Sequence, residues 1–344
     1  MDKSLQQLVH AIAASSGPAL WIADEQIDAG AQTAPRAGLR ALSNRCDVVA
    51  RLRARGIDAA LGDFAFDASD CAHVFFRVAK EKALVHHVIN RALQTLPPGA
   101  TLWLAGDKHD GIKTYLDKAA AAAGSVCNRE RDGTSLLGSI ALGSAAGEPD
   151  DRPALDDQRY AELRRVDFAA DFSAWSKPGI FGWQKLDAGS ALLVEHLAAL
   201  WPEPPGSVLD LGCGYGYIAL SAARRWPAAR IVATDNNIAA VHACARNLAE
   251  AGVDGDALCS DVGAEVRERF DALLCNPPFH QGFDVEDELT RRFLRGARRL
   301  LTARGRALFV VNQFIPLERL AGAEFSRADI VARNRSFKLV ALTP

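Results

Sequence analysis

No run in this 344-residue chain approaches about 18 consecutive apolar residues, so no membrane span is legible in it. The opening residues, Met1-Asp2-Lys3-Ser4-Leu5, lead into a polar–apolar helical pattern. They lack the basic region, apolar stretch and small-residue cleavage site of a secretory leader. The expectation is a cytoplasmic protein with no membrane contact. Seven cysteines, at 46, 71, 127, 213, 244, 259 and 275, include no C-x-x-C pair. The odd count and the missing pair argue against a zinc site and against a disulfide framework, so most read as small buried hydrophobes and no metal is expected. Positive charge is not in excess either. Lys and Arg number 40 against 42 Asp and Glu, a net charge of -2, so a nucleic-acid partner would have to be met by a local basic surface. What remains is ordinary: 49% hydrophobic and 24% charged residues. That composition fits a soluble globular protein and excludes a disordered, collagen-like or rod-like one.

The length suits two domains, and a break is visible. Gly143 to Asp157 is rich in Gly, Pro, Asp and Ala, has no apolar periodicity, and reads as a linker between residues 1–157 and 158–344. In the second part short apolar runs alternate with helical patterns. Strands are expected at Ser207–Leu211, Arg230–Thr234, Phe270–Cys275 and Ala307–Val311, and helices at Tyr215–Trp226, Ile238–Ala251 and Val285–Leu301. A closing hairpin is expected from Ile330–Ala332 and Phe337–Leu342. Short buried strands separated by helices predict an α/β fold, a doubly wound parallel sheet covered on both faces. The first part repeats the order faintly: strands at Ala19–Ile22, His73–Phe76 and Thr101–Leu104, and a helix at Lys82–Thr95. From the first strand end to the middle one is 52 residues (24 to 76), against 66 (210 to 276) in the second part. This points to an internal duplication whose first copy has lost its motifs.

The strongest local signal is Asp210-Leu-Gly212-Cys-Gly214-Tyr-Gly216, directly after a strand and opening a helix. Glycines there permit positive φ and let a ligand approach the backbone. Asp235 ends the next strand, where a carboxylate can grip ribose hydroxyls. A dinucleotide fingerprint would need a small residue at 217, and Tyr217 stands there. An acidic residue before the first glycine would repel a pyrophosphate but suits a cationic sulfonium and ammonium ligand. The pattern resembles the S-adenosylmethionine site of class I methyltransferases. That resemblance implies that Asp261, in Cys259-Ser-Asp-Val262, holds the adenine amino group.

Asn276-Pro277-Pro278-Phe279 follows the strand ending at Cys275. An amino group conjugated to a ring or a carbonyl is a poor nucleophile because its lone pair is delocalised. Acceptance of its two N–H bonds by the Asn276 side-chain oxygen and the Pro277 carbonyl would aim that lone pair at a methyl donor and stabilise the charge developing on nitrogen. The prolines stiffen the turn, and Phe279 offers a stacking platform for a flat base. The tetrapeptide predicts methylation of a planar nitrogen; by itself it leaves guanine N2, adenine N6 and a glutamine amide open.

Two longer stretches carry a closer resemblance. Asn276-Pro-Pro-Phe-His-Gln-Gly282 and Pro178-Gly-Ile-Phe-Gly-Trp-Gln-Lys-Leu-Asp-Ala-Gly-Ser190 are similar to the bacterial ribosomal RNA guanine-N2 methyltransferases of the RsmC/RlmG group, as are Phe76 to Lys82 and Leu104 to Gly111. The resemblance spans roughly residues 70–344. It implies two tandem class I methyltransferase (Rossmann-like) domains, the first degenerate and serving RNA recognition or structure, the second catalytic. S-adenosylmethionine is the implied cofactor, held by Asp210, Gly212, Gly214, Gly216, Asp235, Asn236, Asp261, Val262 and Asn276, with Phe181 and Asp187 from the upstream stretch. The implied partner is ribosomal RNA or a ribosomal subunit, small-subunit RNA first and large-subunit RNA second, acted on by a monomer. Protein-glutamine or DNA-adenine methylation is the reading from another class. Phe75-Phe76-Arg77 is taken to stand where the first domain would carry Asn-Pro-Pro. Lys80, Lys82, Lys108 and Lys113, near expected strand ends of that domain, are the candidate RNA contacts. The arginines from Arg291 to Arg306 read as a solvated helix face, and His86 and His87 as helix residues without a catalytic part.

Overall fold

The computed structural model describes residues 2–25, 27, 34–143, 153–278 and 283–344. The chain divides into two compact units, Met1–Glu162 and Leu163–Pro344. The first contains α1 (Lys3–Ala14), β1 (Ala19–Ile22), β2 (Leu39–Ser43), α2 (Cys46–Ala54), β3 (Asp58–Leu61), β4 (His73–Arg77), α3 (Lys82–Thr95), β5 (Thr101–Asp107), α4 (Ile112–Ala123), β6 (Cys127–Asp132) and β7 (Ser135–Ala141). The second contains β8 (Arg164–Ala169), β9 (Phe172–Ser176), α5 (Ala188–Glu195), α6 (Leu197–Leu200), β10 (Ser207–Leu211), α7 (Tyr217–Arg225), β11 (Arg230–Asp235), α8 (Ile238–Glu250) and β12 (Gly255–Cys259). It continues with β13 (Phe270–Cys275), α9 (Phe283–Leu300), β14 (Leu301–Asn312), α10 (Leu317–Ala321), β15 (Arg327–Arg333) and β16 (Phe337–Thr343).

Each unit is built on a seven-stranded sheet, and the two sheets have one topology. The first runs β3-β2-β1-β4-β5-β7-β6 and the second β12-β11-β10-β13-β14-β16-β15; β8 and β9 form a separate hairpin. Five strands of each sheet are parallel, and the last two return antiparallel. The parallel arrangement follows from burial on both faces. In β10 and β13 alternate residues enter different cores: Val208, Ala272 and Leu274 on one face, and Leu209, Leu211 and Leu273 on the other. The first unit does the same, with Leu20, Ile22 and Phe76 on one side and Trp21, Ala41 and Phe75 on the other. In both units the ends of the first four parallel strands therefore lie side by side along one edge, where each chain leaves its strand.

The unit boundary falls at 162/163, five residues after the expected 157/158. Residues 155–160 stay with the first unit because they are fastened to it. Asn90 bonds the backbone of Leu155 through both ends of its amide at 2.8 Å. His86 Nδ1 lies 2.6 Å from the Asp156 carbonyl, and Tyr160, fully buried, donates to Asp63 at 3.0 Å. His87 is also buried and bonds the Phe64 carbonyl. The two helix histidines are thus structural ties. Part of the expected linker, residues 144–152, lies outside the described residues. Among the described residues no helix is long and apolar enough to cross a membrane, no cluster of metal-ligating side chains forms, and all seven cysteines are free.

Candidate active site

The glycine turn begins where β10 ends. Gly212 and Cys213 both direct their N–H groups at the Thr234 carbonyl of β11, at 2.8 and 2.9 Å. Gly212 has φ +89°, and a Cβ placed on it would meet nothing within 4 Å, so the missing side chain faces open space. Gly216, φ +94°, is glycine for a packing reason: a Cβ there would lie 2.7 Å from the Cys244 sulfur of α8. The left-handed backbone at Gly214 and Gly216 starts α7 at Tyr217 and not at Tyr215, two residues later than the apolar pattern predicts. Asp210 sits inside β10 and is wholly buried. One of its oxygens accepts from Ala219 N–H in α7 at 2.9 Å, while Oδ1 has no partner among the described residues. Burial pushes its pKa up to about 7; the Ala219 N–H opposes this, and the nearby Asp235 charge adds to it.

Asp235 ends β11 and joins that strand to the glycine turn, accepting from Gly214 N–H at 3.0 Å and from Asn237 N–H at 2.9 Å. Asn237 caps α8 through Ala239 N–H and donates to the Gly179 carbonyl at 3.0 Å. The Pro178-Gly-Ile-Phe turn is thereby fastened beside the glycine turn, with the Phe181 carbonyl 3.9 Å from the Cβ position of Gly214 and the Phe181 ring 59% exposed. Asn236 lies between Asp235 and this cap, its carbonyl 3.5 Å from the Cys259 thiol of β12. Ser260 N–H donates to the Asp235 carbonyl at 2.8 Å, which brings Asp261 to the next strand end. Val262 then adopts φ +51°, costly for a β-branched residue. Helix α9 presses on that turn: a Cβ on Gly296 would sit 2.7 Å from Val262 Cγ1. Arg299 donates to the Gly263 and Val266 carbonyls, and Arg292 forms an ion pair with Asp261. The expected solvated arginine face is therefore partly a working surface, because two of its members reach around to hold the Asp261 turn.

Asn276 lies one residue past β13, and its orientation is fixed. Its Nδ2 donates to Asp187 Oδ2 at 2.7 Å and to Ser190 Oγ at 2.9 Å. Asp187 is also the N-cap of α5, accepting from Ser190 N–H at 2.8 Å. Gly189 is needed between them, since a Cβ there would be 3.0 Å from Asp187 Oδ2 and 3.3 Å from the Phe337 ring. The Leu-Asp-x-Gly-Ser stretch is thus a brace. A carboxylate only accepts, so the amide nitrogen must face Asp187 and the amide oxygen must face away. Pro277 is buried and Pro278 exposed. Phe279, the intended stacking residue, and His280 lie outside the described residues.

Residues 171–341 match the family described as the methyltransferase small domain. The ribosomal RNA small subunit methyltransferase C of Escherichia coli strain K12 is 30% identical over 275 residues, covering 79% of this chain and 76% of that protein. The protein of the same name from Shigella dysenteriae serotype 1 matches to the same extent. The chain belongs to the ribosomal RNA small subunit methyltransferase C family. The structure of the Thermus thermophilus 16S rRNA N2 G1207 methyltransferase (RsmC), in complex with AdoMet and guanosine, superposes with a TM-score of 0.81 at 24% identity, over 99% of this chain and 92% of that one. The likeness extends to both units, so the duplicated sheet is the fold of this methyltransferase C family. Sequence reasoning missed Ser190, Asn237, Arg292 and Arg299 as parts of the site. An Asp three residues before Ser at a helix start is a readable cap signal for the first; nothing local marks the two arginines, whose partners lie about 30 residues away in sequence.

Proposed function

We propose that this protein transfers a methyl group from S-adenosylmethionine to the exocyclic N2 of a guanine in small-subunit ribosomal RNA, with all chemistry in the second unit. The observation that carries the reading is the orientation of Asn276. With both Nδ2 hydrogens committed to Asp187 and Ser190, Oδ1 is left to accept one N–H of the guanine amino group, and the Pro277 carbonyl accepts the other. Both acceptors gain strength as nitrogen becomes positive, so they act on the transition state more than on the bound base. No strong base is needed, because the proton turns acidic only after transfer. In the sequence Phe279 supplies the stacking face.

The residues present fit the cofactor. Gly212 leaves open space where a side chain would stand, the unpartnered Asp210 oxygen offers a buried acceptor whose ionised form a cationic ligand would favour, and Asp235 stands at the next strand end, the place from which a carboxylate grips ribose hydroxyls. S-adenosylmethionine supplies an electrophilic methyl on a sulfonium. Asp261, with Val262 holding the turn, takes the adenine amino group, and Arg292 must share or yield that carboxylate. Asn236 and the Phe181 turn border the same cleft. Lys80, Lys82, Lys108 and Lys113 are all exposed, just past β4 and β5, and are proposed to meet RNA phosphates. Every group assigned to the chemistry comes from one unit of one chain, which supports a monomer, and a ribosomal RNA substrate supports work in the cytoplasm. Mapping methylated guanines in both ribosomal RNAs from a deletion strain tests the reading. One N2-methylguanine should vanish from small-subunit RNA; an unchanged small-subunit map, or a loss confined to large-subunit RNA, would contradict it.

A further inference from the structure

The second sheet does not stop level with Asn276. Phe309 of β14 is opposite Cys275 of β13, which puts Val310 level with Asn276, so Val311 and Asn312 continue two residues past that level, about 7 Å at strand spacing. β16 and β15 rise with it: Asn312 pairs with Phe337, Arg333 pairs with Lys338, and Gln313 N–H donates to the Ser336 carbonyl at 3.0 Å. The result is a wall beside the catalytic strand end. It is continuous with the Asn276 brace, because the Phe337 ring lies against Gly189 between Asp187 and Ser190. Its crest is built of two kinds of group. Phe314 is 63% exposed, more than Phe181 and more than any other aromatic described as exposed. Arg333 and Arg335 flank a turn stiffened by Asn334, whose side-chain oxygen accepts from Ser336 and Phe337 N–H at 2.9 and 2.8 Å. Both arginines are exposed, and among the described residues neither has a carboxylate within ion-pair distance. Two acidic groups on neighbouring elements have closer partners: Glu318 pairs with the buried Lys338 and feels Arg333 only at longer range, and Asp329 pairs with Arg327.

An exposed aromatic face next to exposed guanidinium groups, carried on a turn with a fixed backbone, is the combination that holds unpaired nucleic acid, with stacking for a base and point charges for the backbone. We propose that this crest binds the single-stranded RNA flanking the target guanine, with Phe314 stacking on a neighbouring base and Arg333 and Arg335 meeting the adjacent phosphates. The inference rests on the reading of the protein as an RNA methyltransferase and gives the second unit a grip on substrate of its own.

The test uses the full chain with small-subunit ribosomal RNA from a deletion strain, both deproteinised and in the intact subunit, measuring binding over a range of salt and methyl transfer at saturating cofactor. Arg333→Gln/Arg335→Gln should flatten the slope of log affinity against log salt by about 1.4, at roughly 0.7 per single-strand contact. Phe314→Ala should raise KM for RNA by at least about 5-fold, the lower end of the stacking range, while kcat and cofactor affinity stay near wild type. Phe314→Trp should restore KM, which a purely structural role would not require. Wild-type slope and KM in these variants, beside a weakened Lys80/Lys82/Lys108/Lys113→Ala variant, would overturn the crest and leave the methyltransferase reading standing. Wild-type protein that neither binds nor methylates the RNA in either form would overturn both.

Discussion

One sheet topology is built twice in this chain, and the two copies can be aligned by their hydrogen bonds. Ala23 N–H reaches the Leu42 carbonyl as Gly212 N–H reaches Thr234, both at 2.8 Å, and Gly62 bonds Ser43 as Ser260 bonds Asp235. On that register Trp21 stands for Asp210, Ala23 for Gly212, Ser43 for Asp235 and Arg77 for Asn276. A buried indole replaces the buried carboxylate, a methyl group stands where the second unit has open space, and a serine takes the place of the acid at position 235. Some inheritance survives. Asn44 matches Asn236, Asp63 matches Asp261, and the next residue has a left-handed backbone in both, Phe64 at φ +54° and Val262 at +51°. The brace survives in altered form: Asp2 caps α1 and bonds Arg77 as Asp187 caps α5 and bonds Asn276. In the first unit an amide has become a guanidinium, held by Asp2 at 2.9 Å and also by Asp24. The difference teaches that the strand interiors set the sheet, while a handful of strand-end residues decide whether it binds a ligand or fills its own cleft.

Breaking the first unit's filled site should have the largest effect, and on stability alone. The Arg77 side chain is only 5% exposed, so Arg77→Ala removes the buried cation that both Asp2 and Asp24 pair with and should cost about 3–5 kcal/mol in chemical denaturation, with kcat unchanged in the protein that remains folded. A comparable loss of kcat would show that the first unit takes part in chemistry. The matching change in the second unit has the opposite signature. Asn276→Ala should lower kcat by roughly 10²–10³-fold with cofactor affinity and stability near wild type, since Asn276 is half-buried; near-normal kcat would remove the mechanism.

The smallest effect sharpens the Asp210–Trp21 contrast. Asp210 is raised from 3.8 to about 7, so between about pH 4 and 7 the native protein holds a proton that the unfolded chain has released. Stability should therefore fall as pH rises through that window, by about 1.4 kcal/mol between pH 5 and 6, and level off above 7. Asp210→Asn removes this contribution, so the variant should gain on wild type as pH rises; parallel profiles would show that Asp210 is ionised throughout.

Much of this was legible in sequence because it is written locally. β1, β10, β13 and α3 have the bounds that their apolar runs predict, and the glycine turn, Asp235 and the Asn-Pro-Pro stretch lie on adjoining strand ends, as the doubly wound order requires. Edge strands such as β6, with an almost wholly exposed pattern, and β12, with none of its residues fully buried, carry no apolar signal. The expectation that Phe75-Phe76-Arg77 replaces Asn-Pro-Pro was two residues out of register. Phe75 and Phe76 are core strand residues, and Arg77 alone occupies the Asn276 position; pairing with β1, absent from the linear sequence, sets that alignment.

The central claim is that only the second sheet kept its ligand, and titration calorimetry of the full chain with S-adenosylmethionine tests it most directly. One molecule should bind per chain, and Asp235→Ala should abolish that binding. Two sites per chain, or one that survives Asp235→Ala with unchanged affinity, would contradict it.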